Sequence, residues 1–308
     1  MPDRLAEEWE RHRPAVFGAA YRILGGVADA EDVVQDVWLR AADADLDRVR
    51  DLRAWLVTVA ARRAYDMATS ARARREGYVG PWLPEPLLTG PDAAEPVLLD
   101  DTVSTAMLLV LEELSTPERV AFVLHHAFEV PYERIAEVLD RSPAACRQLV
   151  SRARRRIAAR RDQDGPRATR AERERVMAAF RDAYVRGDTA ALAELLDPDA
   201  VYLTDGGGQV FAARRPIRGG LRIAEVMTRV GRRTLRARPV PAEINGVPGL
   251  LLYRDGVLAA VDTAEISGGR IVAYHRVLNP AKLRGVRRAP RPPGDGGRGA
   301  TGLGPGNG

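Results

Sequence analysis

Residues 142–157 read Ser-Pro-Ala-Ala-Cys-Arg-Gln-Leu-Val-Ser-Arg-Ala-Arg-Arg-Arg-Ile, and their types and spacing fit nucleic-acid chemistry. Ser142 suits a helix N-cap and Pro143 the first helical position. On the helix that follows, Leu149, Val150, Ala153 and Ile157 share one side, while Arg147, Gln148, Ser151, Arg152 and Arg155 share the other. Arg and Gln read base edges, and Ser with further Arg holds phosphates. A short amphipathic run, 132–139, and a tight break at Asp140-Arg141 precede it, so the pair reads as a helix-turn-helix. The plainer alternative is a solvated, arginine-rich helix. Three other residues have acid–base chemistry: Asp205, Asp262 and His275. His275 alternates with Ile271, Ala273 and Val277, which would let it point into a pocket; a satisfied interior histidine is the competing reading. Cys146 reads as a small buried filler rather than a redox switch.

Composition narrows the partners. The 308 residues carry a formal charge of +5, and the excess is clustered: residues 147–161 hold seven arginines and no acid. The N-terminal third is richer in acid, so charge is segregated along the chain. Lys282 is the single lysine, which discounts raw arginine counts as a signal. A single cysteine, Cys146, rules out an intramolecular disulfide. No apolar window reaches the length of a membrane span, and Met1-Pro2-Asp3 does not begin a signal peptide. The expectation is a soluble cytoplasmic protein with no membrane association. No catalytic residue, metal or cofactor is assigned.

The elements that must position these residues fall into blocks. Residues 4–76 read as all-helical: Phe17, Ala20, Tyr21 and Leu24 share a face that stops at Gly25-Gly26. Val33, Val34, Val37, Trp38 and Ala41 then line one side of a second helix, and Leu52, Trp55, Leu56, Val59 and Ala60 line a third. Residues 77–100 form a Pro/Gly-rich linker, too apolar at Tyr78, Val79, Trp82, Leu83, Leu87 and Leu88 for a solvated tether, so it is expected to pack on something. Residues 101–161 are a second helical unit ending in the helix-turn-helix. A second short linker follows at 162–166. Residues 168–285 turn mixed, with helices near 170–186, 189–196 and 219–231. Strands are predicted at 201–204, 249–253, 257–266 and 271–277, the last three joined at Asp255-Gly256 and Gly268-Gly269. The tail, 286–308, has almost nothing to bury and is expected to be disordered. The fold class is multidomain: two all-α domains followed by an α+β domain.

At residues 29–40, Asp-Ala-Glu-Asp-Val-Val-Gln-Asp-Val-Trp-Leu-Arg resembles the region 2 motif of sigma-70-type factors, and Leu52-Arg53-Ala54-Trp55-Leu56 follows at the matching distance. The helix-turn-helix resembles region 4. With no long acidic N-terminus and no helical domain between them, the arrangement resembles the extracytoplasmic-function group. Residues 78–86, Tyr-Val-Gly-Pro-Trp-Leu-Pro-Glu-Pro, are similar to a linker signature of the subgroup with a SnoaL-like C-terminal extension. Asp205-Gly206-Gly207-Gly208 and Asn279-Pro280-Ala281-Lys282-Leu283 resemble that subgroup's extension motifs. The resemblance spans residues 4–285. Arg62-Arg63 and Ala68-Thr69 depart from the family pattern, so no −10 preference carries over.

The resemblance implies a transcription initiation factor that binds core RNA polymerase and promoter DNA. Asp29, Glu31, Asp32, Gln35 and Asp36 would dock on a basic coiled coil of the polymerase clamp, with charge complementarity setting encounter rate and register. Arg147, Gln148, Ser151, Arg152 and Arg155 would meet the −35 element. Arg53, Arg62, Arg63, Arg72 and Arg74 would hold DNA at −10, beyond a base-capturing loop at 45–53. Trp55 fits the core better than a stacking platform. The C-terminal domain would be a SnoaL-like cone, acting in cis as a regulator through one interdomain contact between Trp82, Pro84, Glu85, Pro86 and Asp205, Gly206, Gly207, Gly208. Two alternatives stand: a one-component helix-turn-helix regulator with a small-molecule ligand in the cone, and a SnoaL-type enzyme fused to a helical module.

Overall fold

The first helix, α1 (Pro2–Leu24), stops where Gly25 takes a φ of +70°, a conformation glycine adopts without strain. That glycine has a second reason to lack a side chain: a Cβ would lie 2.6 Å from the Trp82 ring. In this computed structural model the described residues are 2–90, 103–164, 168–230 and 237–287, with side chains left aside at 2–7, 71–76, 161–164 and 287. The tail from 288 onward therefore lies outside the described residues, as do 91–102.

Helices α2 (Val27–Asp43) and α3 (Leu52–Glu76) pack on α1, joined by a short 3-10 turn at Leu46–Arg48. The second unit holds α4 (Thr105–Glu112), α5 (Thr116–Ala127), α6 (Tyr132–Leu139) and α7 (Pro143–Asp164). Its helix starts follow capping chemistry. The Ser104 side chain accepts from the Met107 amide, and Ser115 with Glu118 forms a capping box at α5. Helix α7 runs through Asp162 to Asp164, so the short linker expected at 162–166 is helical over its first residues. The two helical units share one hydrophobic cluster: Val16, Tyr21, Val33 and Leu56 belong to the same contiguous core as Leu111, Val120, Leu124 and Ile135.

Beyond them, α8 (Arg170–Arg186), α9 (Thr189–Leu195) and α10 (Gly220–Val230) cover one face of a six-stranded sheet. Its strands are β1 (Leu196–Asp205), β2 (Ile217–Arg218), β3 (Arg238–Ile244), β4 (Val247–Arg254), β5 (Val257–Ser267) and β6 (Arg270–Val277), in the order β2-β1-β6-β5-β4-β3. Among the described residues only β1 and β6 pair in parallel. The architecture agrees with the expected helical units followed by an α+β domain. Strands β2 and β3 were not anticipated. Strand β3 contains Pro239 and Pro241, which argue against a strand until it is seen to be an edge strand whose missing donors face the unpaired side.

The opposite sheet face supports the arrangement of the whole chain. Leu251, Leu258, Val261 and Val277 form a cluster there with Leu83 of the linker and with Leu283 and Val286 near the C-terminus. The linker is thus a packed layer, with Leu83, Pro84 and Pro86 buried. A terminal short helix, α11 (Arg284–Arg287), follows.

Candidate functional site

The helix-turn-helix is built by α6 and α7. Asp140 takes the left-handed conformation that turns the chain, and the Ser142 hydroxyl accepts from the Ala145 amide to start α7. Cys146, Leu149, Val150, Ala153 and Ile157 are buried, while Arg147, Gln148, Ser151, Arg152 and Arg155 are exposed. Two arginines do structural service as well. Arg152 Nε donates to Glu118 Oε1 at 3.0 Å and Arg156 Nη1 to Glu118 Oε2 at 2.9 Å, bracing α7 on the start of α5. Burial opposes charge on Glu118, but bonds from Ser115 and then the two arginines outweigh it and hold the carboxyl below its usual range. Arg147 lies over the Tyr132 ring at 5.4 Å. Arg155 and Gln148 have no such tie among the described residues.

The acidic helix α2 presents Asp32 and Gln35 to solvent on the same side as Leu39, which is 62% exposed. Asp29 is half-buried near its start. The other two acids are engaged: Glu31 accepts from Arg13 at 2.9 Å, and Asp36 from Arg63 Nε at 2.5 Å. Of the residues expected at −10, Arg53 lies over the Phe128 ring at 5.7 Å and Arg62 donates to the Glu137 carbonyl at 3.2 Å. Both partners belong to the second helical unit, so these two arginines bridge the units while remaining exposed. The side chains of Arg72 and Arg74 lie outside the described residues. Trp55 is partly buried against the core.

Asp205, at the end of β1, joins the linker to the α+β domain. Its carboxylate is fully buried and accepts from the Tyr78 hydroxyl (2.5 Å), the Leu83 amide (2.9 Å), the Gly207 amide (3.0 Å) and Lys282 Nζ (2.7 Å). Lys282 also donates to the Leu83 carbonyl and sits 4.1 Å from the Trp82 ring centroid. Asn279 donates to the Tyr78 hydroxyl at 2.9 Å. Gly207 must be glycine, since a Cβ would collide with Asn279. Burial first, and then the bond to Asp205, raises the Tyr78 hydroxyl pKa. The structure therefore brings Trp82, Asp205, Gly206, Gly207 and Gly208 to one place.

Glu85 completes a second contact, to α2. Helix α2 has no capping side chain of its own, and the Glu85 carboxylate accepts from the Val27 amide at 2.8 Å and the Ala28 amide at 3.4 Å. Burial raises the Glu85 pKa, against the lowering effect of those amides. The Glu85 carbonyl accepts from Tyr21, whose hydroxyl in turn accepts from Asn245 Nδ2 at 2.7 Å. Asn245 N donates to the Leu87 carbonyl, and the Thr89 amide to the Glu243 carbonyl, so the linker pairs along the free edge of β3. Tyr78, Asn279 and Lys282 lie in motifs that the resemblance picks out but carry no role there, and Asn245 and Tyr21 have none from the sequence. The uniqueness of Lys282 and the Asn245-Gly246 hairpin pair were the available signals.

The acid–base candidates are otherwise occupied. Asp262 is fully buried and takes both forks of Arg276 at 2.8 and 2.7 Å together with the Tyr274 hydroxyl at 2.7 Å. His275 does not point into the cone. Alternation along β6 puts Tyr274 and Arg276 on the helix-covered face and His275 on the other, because Tyr274 packs with Phe180 of α8. There it is 2% exposed, 3.5 Å from Glu265, and burial, helped by the charge of Arg160, pushes its pKa down to about 4.

Profiles for sigma-70 region 2 and sigma-70 region 4 match residues 9–74 and 104–157, which makes both helical units sigma-type promoter-recognition domains. Over 292 residues the chain is 37% identical to the ECF RNA polymerase sigma factor SigJ of Mycobacterium tuberculosis (strain ATCC 25618 / H37Rv), covering 90% of this chain and 93% of that protein. It is 33% identical over 294 residues to the probable ECF RNA polymerase sigma factor SigI of Mycobacterium tuberculosis (strain CDC 1551 / Oshkosh), covering 92% and 97% respectively. The crystal structure of Mycobacterium tuberculosis SigJ superposes with a TM-score of 0.74 at 34% identity, covering 91% of this chain and 98% of that one. This chain belongs to the family of extracytoplasmic-function RNA polymerase sigma factors.

Proposed function

We propose that the chain docks on core RNA polymerase in the cytoplasm through Asp29, Glu31, Asp32, Gln35 and Asp36 of α2, and reads the −35 element with Arg147, Gln148, Ser151, Arg152 and Arg155. Arg53, Arg62, Arg63, Arg72 and Arg74 serve the −10 region once the helical units separate. The α+β domain regulates these steps in cis without catalysis of its own. The observation that supports regulation is Asp205, which ties the linker to the C-terminal domain through four donors while Glu85, three residues from Trp82, caps the polymerase-facing helix. Run-off transcription with purified core polymerase tests the assignment. Promoter-specific transcript should appear with the wild type and fall sharply with Arg147→Ala; no transcript from any promoter bound by the chain would reject it.

A second reading of the same domain, that it also takes a small ligand, is favoured by a cleft of about 400 Å³ lined by Val79, Gly80, Thr204, Gly208, Phe211 and Arg214. Phe211 is 87% exposed beside it. An apolar anionic dye should bind there and lose affinity on Phe211→Glu; equal binding by both proteins would remove this reading.

A further inference from the structure

The walls of the cleft at the glycine loop come from two different parts of the fold. Val79 and Gly80 belong to the linker, and Thr204, Gly208, Phe211 and Arg214 to the α+β domain. The walls approach closely at two points: a Cβ on Gly208 would lie 3.3 Å from Val79 Cβ, and one on Gly80 3.6 Å from Arg214 Cα. The domain wall is braced by its own bonds. The Thr204 hydroxyl donates to the Ala213 carbonyl at 3.2 Å and accepts from the Ala213 amide at 2.8 Å, and the Gly206 carbonyl accepts from the Gln209 amide at 3.0 Å. The cleft is therefore complete only while the linker lies on the domain.

Its lining states the chemistry of an occupant. Val79, Val210 and Phe211 offer apolar surface, and all three are exposed to solvent. Covering them removes that surface from water. Arg214 is the charged residue of the lining; it is exposed and has no ion-pair partner among the described residues. Nothing nearby in the sequence offsets it: between Asp205 and Glu225 there is no acid, whereas Arg215, Arg218 and Arg222 add to the positive charge. Asp205, which precedes the loop, is fully buried and paired with Lys282 at 2.7 Å. The volume of about 400 Å³ falls within the range of clefts that take drug-sized molecules. An apolar body carrying one acid group fits both the surface and the charge.

We propose that an amphiphilic monoanion binds between the linker and the glycine loop, clasps the two together, and so lowers promoter-specific transcription. The inference rests on the small-ligand reading of this cleft and on the linker contact restraining transcription. The sign follows from the walls. A ligand that needs Val79 and Gly80 beside Phe211 and Arg214 binds the strapped form better than a form with the linker lifted, and it shifts the balance toward the strapped form by that difference. The coupling is reciprocal, so whatever lifts the linker also weakens the ligand.

The test uses the full chain with anilinonaphthalene sulfonate and its uncharged parent, phenylnaphthylamine. Arg214→Gln should weaken binding of the sulfonate about threefold, the loss of one exposed charge pair, and leave the parent unchanged. Equal loss for both dyes, or for neither, overturns the anionic class. Saturating sulfonate should slow hydrogen exchange severalfold at the Leu83 amide, which donates to Asp205. Unchanged exchange in a chain that binds the dye overturns the clasp and leaves the cleft a ligand site. Run-off transcript is then taken for each protein as the ratio with and without sulfonate. The ratio should fall for the wild type and stay near one for Phe211→Glu; no fall in the wild type, or the same fall in both, overturns the regulatory effect. Failure of both dyes to bind, or binding that Phe211→Glu does not weaken, rejects the small-ligand reading and this proposal with it.

Discussion

His275 is held neutral on the buried sheet face opposite α8, which makes its protonation visible in stability. Its pKa falls from about 6.5 in the unfolded chain to about 4 in the fold. Because the folded state resists protonation, the stabilisation is complete above about pH 6.5, declines as pH falls, and is exhausted near pH 4; the total is on the order of 3 kcal/mol. Chemical denaturation across that range should show the decline in the wild type and a flatter profile for His275→Gln. On α7, Arg147 and Arg155 should separate by kind. Arg147→Ala is expected to cost about 1–3 kcal/mol with relaxed base preference, whereas Arg155→Ala should weaken all sequences alike and reduce the salt slope by about 1. Binding titrations over several salt concentrations distinguish the two.

At the level of elements, the linker behaves as a buried strap, and Asp205 is its anchor. Lys282→Met would strand a fully buried carboxylate, for which about 3–5 kcal/mol of destabilisation is expected; Lys282→Met combined with Asp205→Leu should recover part of the loss. Thermal unfolding of the three proteins measures both. Glu85 gives the strap a pH response: because burial raises its pKa, its contribution to folded stability is fullest in acid and declines as pH rises through the folded value, while the amide bonds from Val27 and Ala28 favour the ionised carboxylate and limit that decline. Glu85→Gln, which keeps an acceptor for the Val27 amide, should flatten that response in hydrogen exchange at Val27 and Ala28. Periodicity made α1 to α3 and the helix-turn-helix legible, because each buries one face on near neighbours. Strand β3 was hidden by Pro239 and Pro241, whose meaning depends on being at an edge. The helix cap supplied by Glu85 was hidden for another reason: 58 residues separate donor and acceptor, and no local pattern encodes that. Between a pocket-facing and an interior His275 the sequence left the choice open, because alternation gives the set of residues on a face but not which face is covered by helices, and the structure places it in the interior.

Across the whole molecule, the two DNA-reading units are closed on one another. They share one core, Arg62 reaches α6 and Arg53 reaches Phe128, while the α+β domain is bound to the linker and, through Asn245 and Tyr21, to α1, and the linker is bound to α2 through Glu85. The proposed function has the two units separate to read two promoter elements, which opens that core. Loosening the strap should therefore favour the active form by shifting a pre-existing balance, without touching a DNA contact. Tyr78→Phe is the mildest change that does this, removing the hydroxyl shared by Asp205 and Asn279. The direct measurement is run-off transcription by core polymerase with matched amounts of folded wild type and Tyr78→Phe. A severalfold rise in promoter-specific transcript is predicted, and an unchanged yield at equal promoter affinity would contradict regulation through this contact.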